Sequence, residues 1–391
     1  MIGTMAINKN DSRSFLTEKH LLFKQSIREF LDKEAVPFYD QWEKEWGIPR
    51  SFWKKIGDNG FLCPWLDAEF GGVGADFGYS VVLAEEFEMV GSALRGISIH
   101  SDVVAPYIAS FGTMDQKQRY LPKFITGEMI TAFAMAEPGM DSEFANIQTT
   151  AIKKDGYYIV NGAKTFITNG FKADFMIVAC KTDLDAVPSH DGISLLLIDK
   201  DTPGFTRGRK LEKAGQDSSD TAELFFDDAL VPVGNLLGEE GKGLSYIMQK
   251  LQQERLMCAI GSLMATKDML HLTVNYIKGR KAFGKKISEF KKSQFTIAEI
   301  ATDIQLGRTF VDGLICKHIN GENIITEVSM AKYWITEMSK RISEKCMQLH
   351  DRYGNMGDDK IARRHRNIPL TTLYTGSDEN VKTLIAENIG F

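Results

Sequence analysis

Apolar positions change their spacing twice along this chain. Between residues 17 and 128 they follow a helical period, as in Leu21, Phe23, Ile27, Phe30 and Leu31. Thr17 stands ahead of that run as a candidate N-cap. A second helical run follows Tyr79 through Leu83 and Phe87, and a third surrounds Val103, Ile108 and Phe111. The break Phe70-Gly71-Gly72-Val73-Gly74 reads as a flexible loop between helices. From 129 to 240 the pattern shortens. Thr149–Ile152 and Tyr157–Val160 flank Asp155-Gly156, which predicts a tight hairpin. Phe175–Cys180, Ile193–Ile198 and Ala222–Phe226 are further short apolar runs bounded by turn residues, so the region reads as a β-sandwich or barrel. From Gly243 the helical period returns and lasts almost to Phe391. The expected organisation is an α-helical domain over 1–128, a β-domain over 129–240 and a helical domain over 241–391. No internal repeat is visible.

Composition narrows the function classes. The chain has 391 residues and a formal net charge of −5, a poor match to a dedicated nucleic-acid binder. Five cysteines stand singly (Cys63, Cys180, Cys258, Cys316, Cys346), with no C-x-x-C pair, which argues against a disulfide framework or a zinc site. A reducing, cytoplasmic setting is expected. Residues 1–15 lack the apolar core of a signal peptide, and no apolar run is long enough to span a membrane. Gly72-x-Gly74 resembles the start of a dinucleotide fingerprint, but Phe77 occupies the third position, and no strand–turn–helix context surrounds it. The seven histidines form no metal-binding spacing. Lys278–Lys292 and Arg363-Arg364-His365-Arg366 are cationic runs that read as solvated helix ends or as phosphate contacts.

Glu254 is the informative residue. Ile247, Leu251, Cys258 and Gly261 share one helical face, and Glu254 lies on it. A carboxylate on an apolar stripe is costly unless paired or used. Burial raises its pKa toward what a general base near neutrality needs. A structural ion pair with a neighbouring arginine is the alternative.

The run Met135-Ala136-Glu137-Pro138-Gly139-Met140-Asp141-Ser142, followed by Asn161-Gly162-Ala163-Lys164-Thr165-Phe166-Ile167-Thr168-Asn169, resembles the β-domain flavin signatures of the acyl-CoA dehydrogenase family. Arg280-Lys281-Ala282-Phe283-Gly284-Lys285 resembles its R-x-x-F-G segment, Gln348-Leu349-His350 the start of Q-x-x-G-G-x-G, and Tyr374-Thr375-Gly376-Ser377-Asp378-Glu379 its C-terminal Y-x-G-T/S-x-E stretch. The match runs from about Thr17 to Ile389. The resemblance implies an α+β multidomain fold: N-terminal helical domain, middle β-barrel or sandwich domain, and C-terminal four-helix bundle. It implies FAD between the last two, a homotetramer built as a dimer of dimers, and α,β-dehydrogenation of an acyl thioester. In that reaction a glutamate takes the α-proton while hydride leaves Cβ for flavin N5. Most members draw the base from the position of Thr375. The isovaleryl and long-chain branches use an L-x-x-E-R helix, matched here by Leu251-Gln252-Gln253-Glu254-Arg255. Glu254 is then the base, and Thr375 offers its backbone N–H to the thioester oxygen. By position, Phe133, Met135, Ala136, Phe166 and Thr168 line the flavin ring. Ser142 lies near its phosphates or the pantetheine arm, and Arg280, Phe283, Gln348 and Arg352 reach a partner's FAD tail. Ser377 and Glu379 approach from the C-terminal end.

The departures from the family pattern cluster around the FAD tail. Asp351-Arg352 replaces Gly-Gly, Lys291 replaces a Gln, and Asn367 replaces an Asp. At the ring, Ala136 replaces a Thr or Ser hydroxyl. Two thioester carriers fit: coenzyme A, the family default, or an acyl-carrier protein. An electron-transfer flavoprotein is the expected acceptor. A flavin oxidase or monooxygenase on the same fold, and an interaction protein without FAD, are the competing functions.

Overall fold

The computed structural model describes residues 13–91, 94–139, 147–357 and 359–391. Among the described residues, seven helices come first: α1 (Glu18–Glu34), α2 (Tyr39–Lys44), α3 (Arg50–Asp58), α4 (Phe77–Val90), α5 (Arg95–Ser98), α6 (Ala105–Phe111) and α7 (Met114–Ile125). A π-helical stretch, Ile99–Val104, joins α5 to α6. Thr17 precedes α1, and its backbone N–H donates to His20 Nδ1 at 3.1 Å. The His20 ring reaches on to Asp76, the N-cap of α4. The Phe70–Gly74 break connects helices as a largely exposed segment tied back by backbone hydrogen bonds, Gly74 N–H donating to Leu66 O at 2.9 Å. A Cβ on Gly72 would lie 1.9 Å from that same oxygen, so only glycine fits.

The β-domain is one curled seven-stranded sheet: β1 (Thr131–Ala134), β2 (Thr150–Lys154), β3 (Tyr157–Thr168), β4 (Phe175–Lys181), β5 (Ile193–Asp199), β6 (Phe205–Lys210) and β7 (Thr221–Pro232). The order is β1-β4-β2-β3-β7-β6, with β5 also on β4. The hairpin forms as expected, with Lys154 opposite Tyr157 and Asp155 and Gly156 both at positive φ. That double left-handed turn is the type whose twist matches the flanking strands. Strand β4 is buried on both faces, which explains its unbroken apolar run. Phe175, Ile177 and Ala179 join a core with α6, α7 and the segment after β7, while Met176, Val178 and Cys180 face the inside of the sheet. Strands β1 and β6 carry no clear period-two signal, so the sequence alone does not mark them.

The C-terminal part is built on α8 (Gly243–Gly279), α9 (Lys291–Ile319) and α10 (Ile325–His350), with α11 (Lys360–Asn367) and α12 (Asp378–Asn388) following. Helices α8, α9 and α10 pack on one another, α12 packs on α10, and together these four form the bundle. Leu263, Val311, Ile335 and Ile342 are among its buried contacts. Helix α8 runs 37 residues, long enough to leave the bundle and reach the helices of the N-terminal part. Its first turns, with Ile247 and Leu251, pack in the core shared with β4 and β5. The middle of α8 thus lies where the three parts of the molecule meet. Among the described residues, no helix is long and apolar enough to cross a membrane.

Candidate active site

At that junction lies a cavity of about 210 Å³. Its walls include Phe87 and Glu88 from α4, Phe133 from β1, Phe166 and Thr168 from β3, and Glu254, Met257 and Cys258 from α8. Thr375 closes it from the C-terminal turn. Five residues proposed from sequence therefore converge here: Phe133, Phe166, Thr168, Glu254 and Thr375. Met135 and Ala136 continue from β1, and the Ala136 carbonyl accepts from Thr165 N–H at 2.9 Å.

Glu254 sits on the face of α8 that its spacing indicates. Its pKa is raised to about 7, chiefly because burial withholds water from the charged form. The Tyr107 hydroxyl donates to Glu254 Oε1 at 3.0 Å and partly opposes that rise. Tyr107 is fully buried and lies against Phe133, with ring centroids 4.9 Å apart. The structural alternative for Glu254, a pair with the adjacent arginine, does not form. Arg255 turns away, donating Nη1 to Ser329 Oγ at 2.8 Å and Nε to Thr375 O at 3.3 Å.

Thr375 holds φ +54°, a left-handed value that a β-branched residue adopts only under constraint. Its hydroxyl donates to its own neighbour, Tyr374 O, at 2.7 Å. Its backbone N–H has no hydrogen-bond acceptor among the described residues. The cavity is thus lined by a proton acceptor near neutrality and by a turn with an unused amide donor.

Several residues of the quoted signatures prove to be scaffolding. Lys164 is completely buried and donates to Glu137 Oε1 at 2.7 Å and to Met135 O at 3.0 Å. Glu137 in turn accepts from the backbone N–H groups of Gln148 and Thr149. Asn169 donates to Gly96 O at 2.9 Å and Thr131 O at 3.0 Å, tying α5 to β1. His100 bridges Phe124 O and Thr131 Oγ1, both at 3.0 Å, and fixes the π-helical stretch that carries Ile99 and Val103 into the cavity wall. Burial lowers its pKa to about 4, so it is a neutral structural ring.

The remaining sequence-proposed residues lie outside this cavity. Arg280 caps the end of α8, with its guanidinium 5.1 Å from the Tyr353 ring centre. Phe283 tips a short hairpin and is 98% exposed. Gln348 and Arg352 are exposed at the end of α10, beside Asp351. Ser377 N-caps α12, and Glu379 is exposed in its first turn. Ser142 lies outside the described residues. Sequence reasoning missed Tyr107, Arg95 and Ser98 of the cavity surroundings. Arg95 and Ser98 form one helical turn of the wall. Arg95 Nη2 meets Glu88 Oε1 at 3.1 Å, and its guanidinium lies 5.2 Å from the Tyr374 ring centre. No local pattern marks any of the three. Among the described residues, no cluster could hold a metal ion.

Comparison with known proteins gives three family matches in chain order. Residues 17–128 match the acyl-CoA dehydrogenase N-terminal domain, 132–229 the middle domain and 241–390 the C-terminal domain. The long-chain specific acyl-CoA dehydrogenase of Rattus norvegicus is 38% identical, covering 96% of this chain and 88% of that protein. An acyl-CoA dehydrogenase of Bacillus subtilis is 34% identical, covering 95% and 98%. The crystal structure of an acyl-CoA dehydrogenase from Geobacillus kaustophilus superposes with a TM-score of 0.96 at 59% identity, covering 97% of this chain and all of that one.

Proposed function

The chain belongs to the acyl-CoA dehydrogenase family, and we propose that it oxidises an acyl thioester across Cα–Cβ with Glu254 as the base. One observation carries this reading: a carboxylate poised near pH 7 shares a small, largely apolar cavity with a turn whose amide is unused. An unactivated α-proton is too weakly acidic for a carboxylate to remove. The Thr375 N–H supplies the missing activation by donating to the thioester oxygen as negative charge develops there. Glu254 then receives the α-proton. Phe87, Ile99, Val103 and Met257 line the cavity and keep water from the carboxylate and the thioester.

The residues present fit a flavin. Phe166 holds φ +58° and is 72% exposed on the cavity wall, a flat apolar face that protein leaves uncovered. A bound FAD would supply the acceptor for the hydride that leaves Cβ. Phe133, Met135, Ala136, Phe166 and Thr168 would hold its ring. Ser142, Ser377 and Glu379 would serve the rest of the molecule. Arg280, Phe283, Gln348 and Arg352 would reach the tail of FAD bound to another copy, which suits a homotetramer and the full exposure of Phe283. Coenzyme A is the proposed carrier, and an electron-transfer flavoprotein the proposed acceptor. The proposed domain limits are 1–128, 129–240 and 241–391, in a cytoplasmic protein.

Anaerobic titration with a panel of acyl thioesters tests the reading. Flavin bands that bleach with an acyl-CoA support it, and Glu254→Gln should keep the bands and lose the bleaching. Bleaching with carrier-protein thioesters alone would reassign the carrier. Rapid reoxidation by oxygen would favour an oxidase. A colourless protein that takes up no FAD would overturn the enzymatic reading.

A further inference from the structure

Two cations that do not line the cavity bond to carbonyls of the turn that carries the unused Thr375 amide. Lys332, on α10, is completely buried. Its ammonium donates to Thr372 O at 2.8 Å, Gly376 O at 2.9 Å and Asp378 Oδ1 at 2.7 Å. That is the full donor capacity of a lysine. Arg255, on α8, takes the carbonyl between them, Thr375 O. Tyr374 O is taken by the Thr375 hydroxyl. Four carbonyls of one short turn are therefore engaged, two of them by a single ammonium.

A backbone fixed at its carbonyls has little freedom left for its amides. Thr375 stays at φ +54°, where a threonine would not remain unaided. Burying a lysine is expensive unless each proton finds an acceptor and the charge a counter-ion. Here both conditions are met, the second by Asp378 in the first turn of α12. Helix α12 is thereby joined to the same turn.

We propose that Lys332, with Asp378 as its counter-ion, is a positioning residue that aims the Thr375 amide at the thioester oxygen. This rests on the reading that the amide polarises the thioester. Lys332 touches no reacting atom. It acts by holding the turn rigid, so that the donor needs no reorganisation when charge develops.

The test reads carbonyl polarisation in the flavin-loaded enzyme. The probe is an arylacryloyl-CoA thioester, whose absorption moves to longer wavelength when its carbonyl accepts a strong hydrogen bond. Lys332→Met combined with Asp378→Asn removes both buried charges and avoids leaving a carboxylate stranded. The expected result is loss of at least half the red shift. With a bleaching substrate, kcat should fall about tenfold or more while KM changes less than about threefold. The matching S-alkyl-CoA thioether, which has no carbonyl, should bind as tightly as before. Asp378→Asn alone, a milder change, should give an intermediate shift. A parental red shift and kcat in the double variant would overturn the proposal. Equal weakening of thioester and thioether would also overturn it, because that pattern means general loosening of the site. Failure of the underlying reading looks different: the parent itself would then show no red shift and no bleaching. Glu254→Gln separates the two steps, since it should lose bleaching and keep the shift.

Discussion

The Tyr107 hydroxyl and the Glu254 carboxylate, 147 positions apart in sequence, meet at 3.0 Å. The hydrogen bond stabilises the ionised carboxylate against the burial that raises its pKa to about 7. A hydrogen bond to a charged group is worth about 1.5–3 kcal/mol, or roughly one to two pH units. In Tyr107→Phe the midpoint of the rising limb of kcat/KM against pH should move up by about one unit. Activity at pH 7 should drop several-fold and largely return near pH 9. A pH–rate profile with an unmoved midpoint would show that the tyrosine does not set the basicity of Glu254.

Glu254→Gln should stabilise the protein at alkaline pH. Burial raises the folded pKa to about 7, above the ordinary carboxylate value. The neutral acid is therefore favoured by folding. Its contribution is complete below the unfolded pKa and is lost as pH rises through about 7. Above that point ionised Glu254 costs on the order of 2 kcal/mol, discounted for its access to the cavity. Melting curves should show the variant more stable than the parent at pH 8 and indistinguishable from it near pH 4.5. A constant difference across that range would contradict the pKa shift.

Among the non-glycine residues held at positive φ, Thr375 and Asp351 carry strain that glycine would relieve. Thr375 sits at φ +54°, and Asp351 at φ +52° and ψ −129°. Thr375→Gly and Asp351→Gly should each stabilise the fold by about 1 kcal/mol, read from denaturant midpoints. Thr375→Gly keeps the amide, so turnover should stay within about threefold of the parent. Asp351→Gly removes a carboxylate from the surface proposed for the FAD tail, and retention of flavin through dialysis should improve. Loss of turnover in Thr375→Gly would mean that the side chain matters beyond the backbone it carries.

The cavity wall made by Arg95, Glu88 and Tyr374 is polar, which suits the methyl end of a long alkyl chain poorly. Gly261 lies about 10.5 Å along α8 from Glu254, at 1.5 Å rise per residue. A Cβ there would be 3.5 Å from Arg95 Nη2. Replacing Arg95 by Leu together with Glu88→Gln should raise the kcat/KM ratio for longer over shorter straight-chain acyl-CoA substrates by about tenfold. An unchanged ratio across the series would show that the chain end does not reach Arg95.

Local pattern determined a good deal of this protein. The period of the apolar positions set the helical, β and helical regions, because burial of one face forces a spacing of 3.6 or 2. Asp155-Gly156 determined its hairpin, since the turn needs two left-handed residues. Glu254 stood out because a carboxylate on an apolar face has few uses. Tertiary structure decided what surrounds it. Tyr107 comes from α6, Phe133 from β1 and Thr375 from the turn before α12, and no sequence spacing relates them. The turn's geometry was equally hidden. Thr375 alone suggests neither a left-handed backbone nor an unused amide, and the Lys332 and Arg255 contacts to the carbonyls of its turn come from other helices. Likewise, Lys164 and Asn169 sit in a legible motif, yet only packing shows that they brace the site from behind. Glu254 is legible because its own helix betrays it. Its partners are not, because long-range packing brings them together.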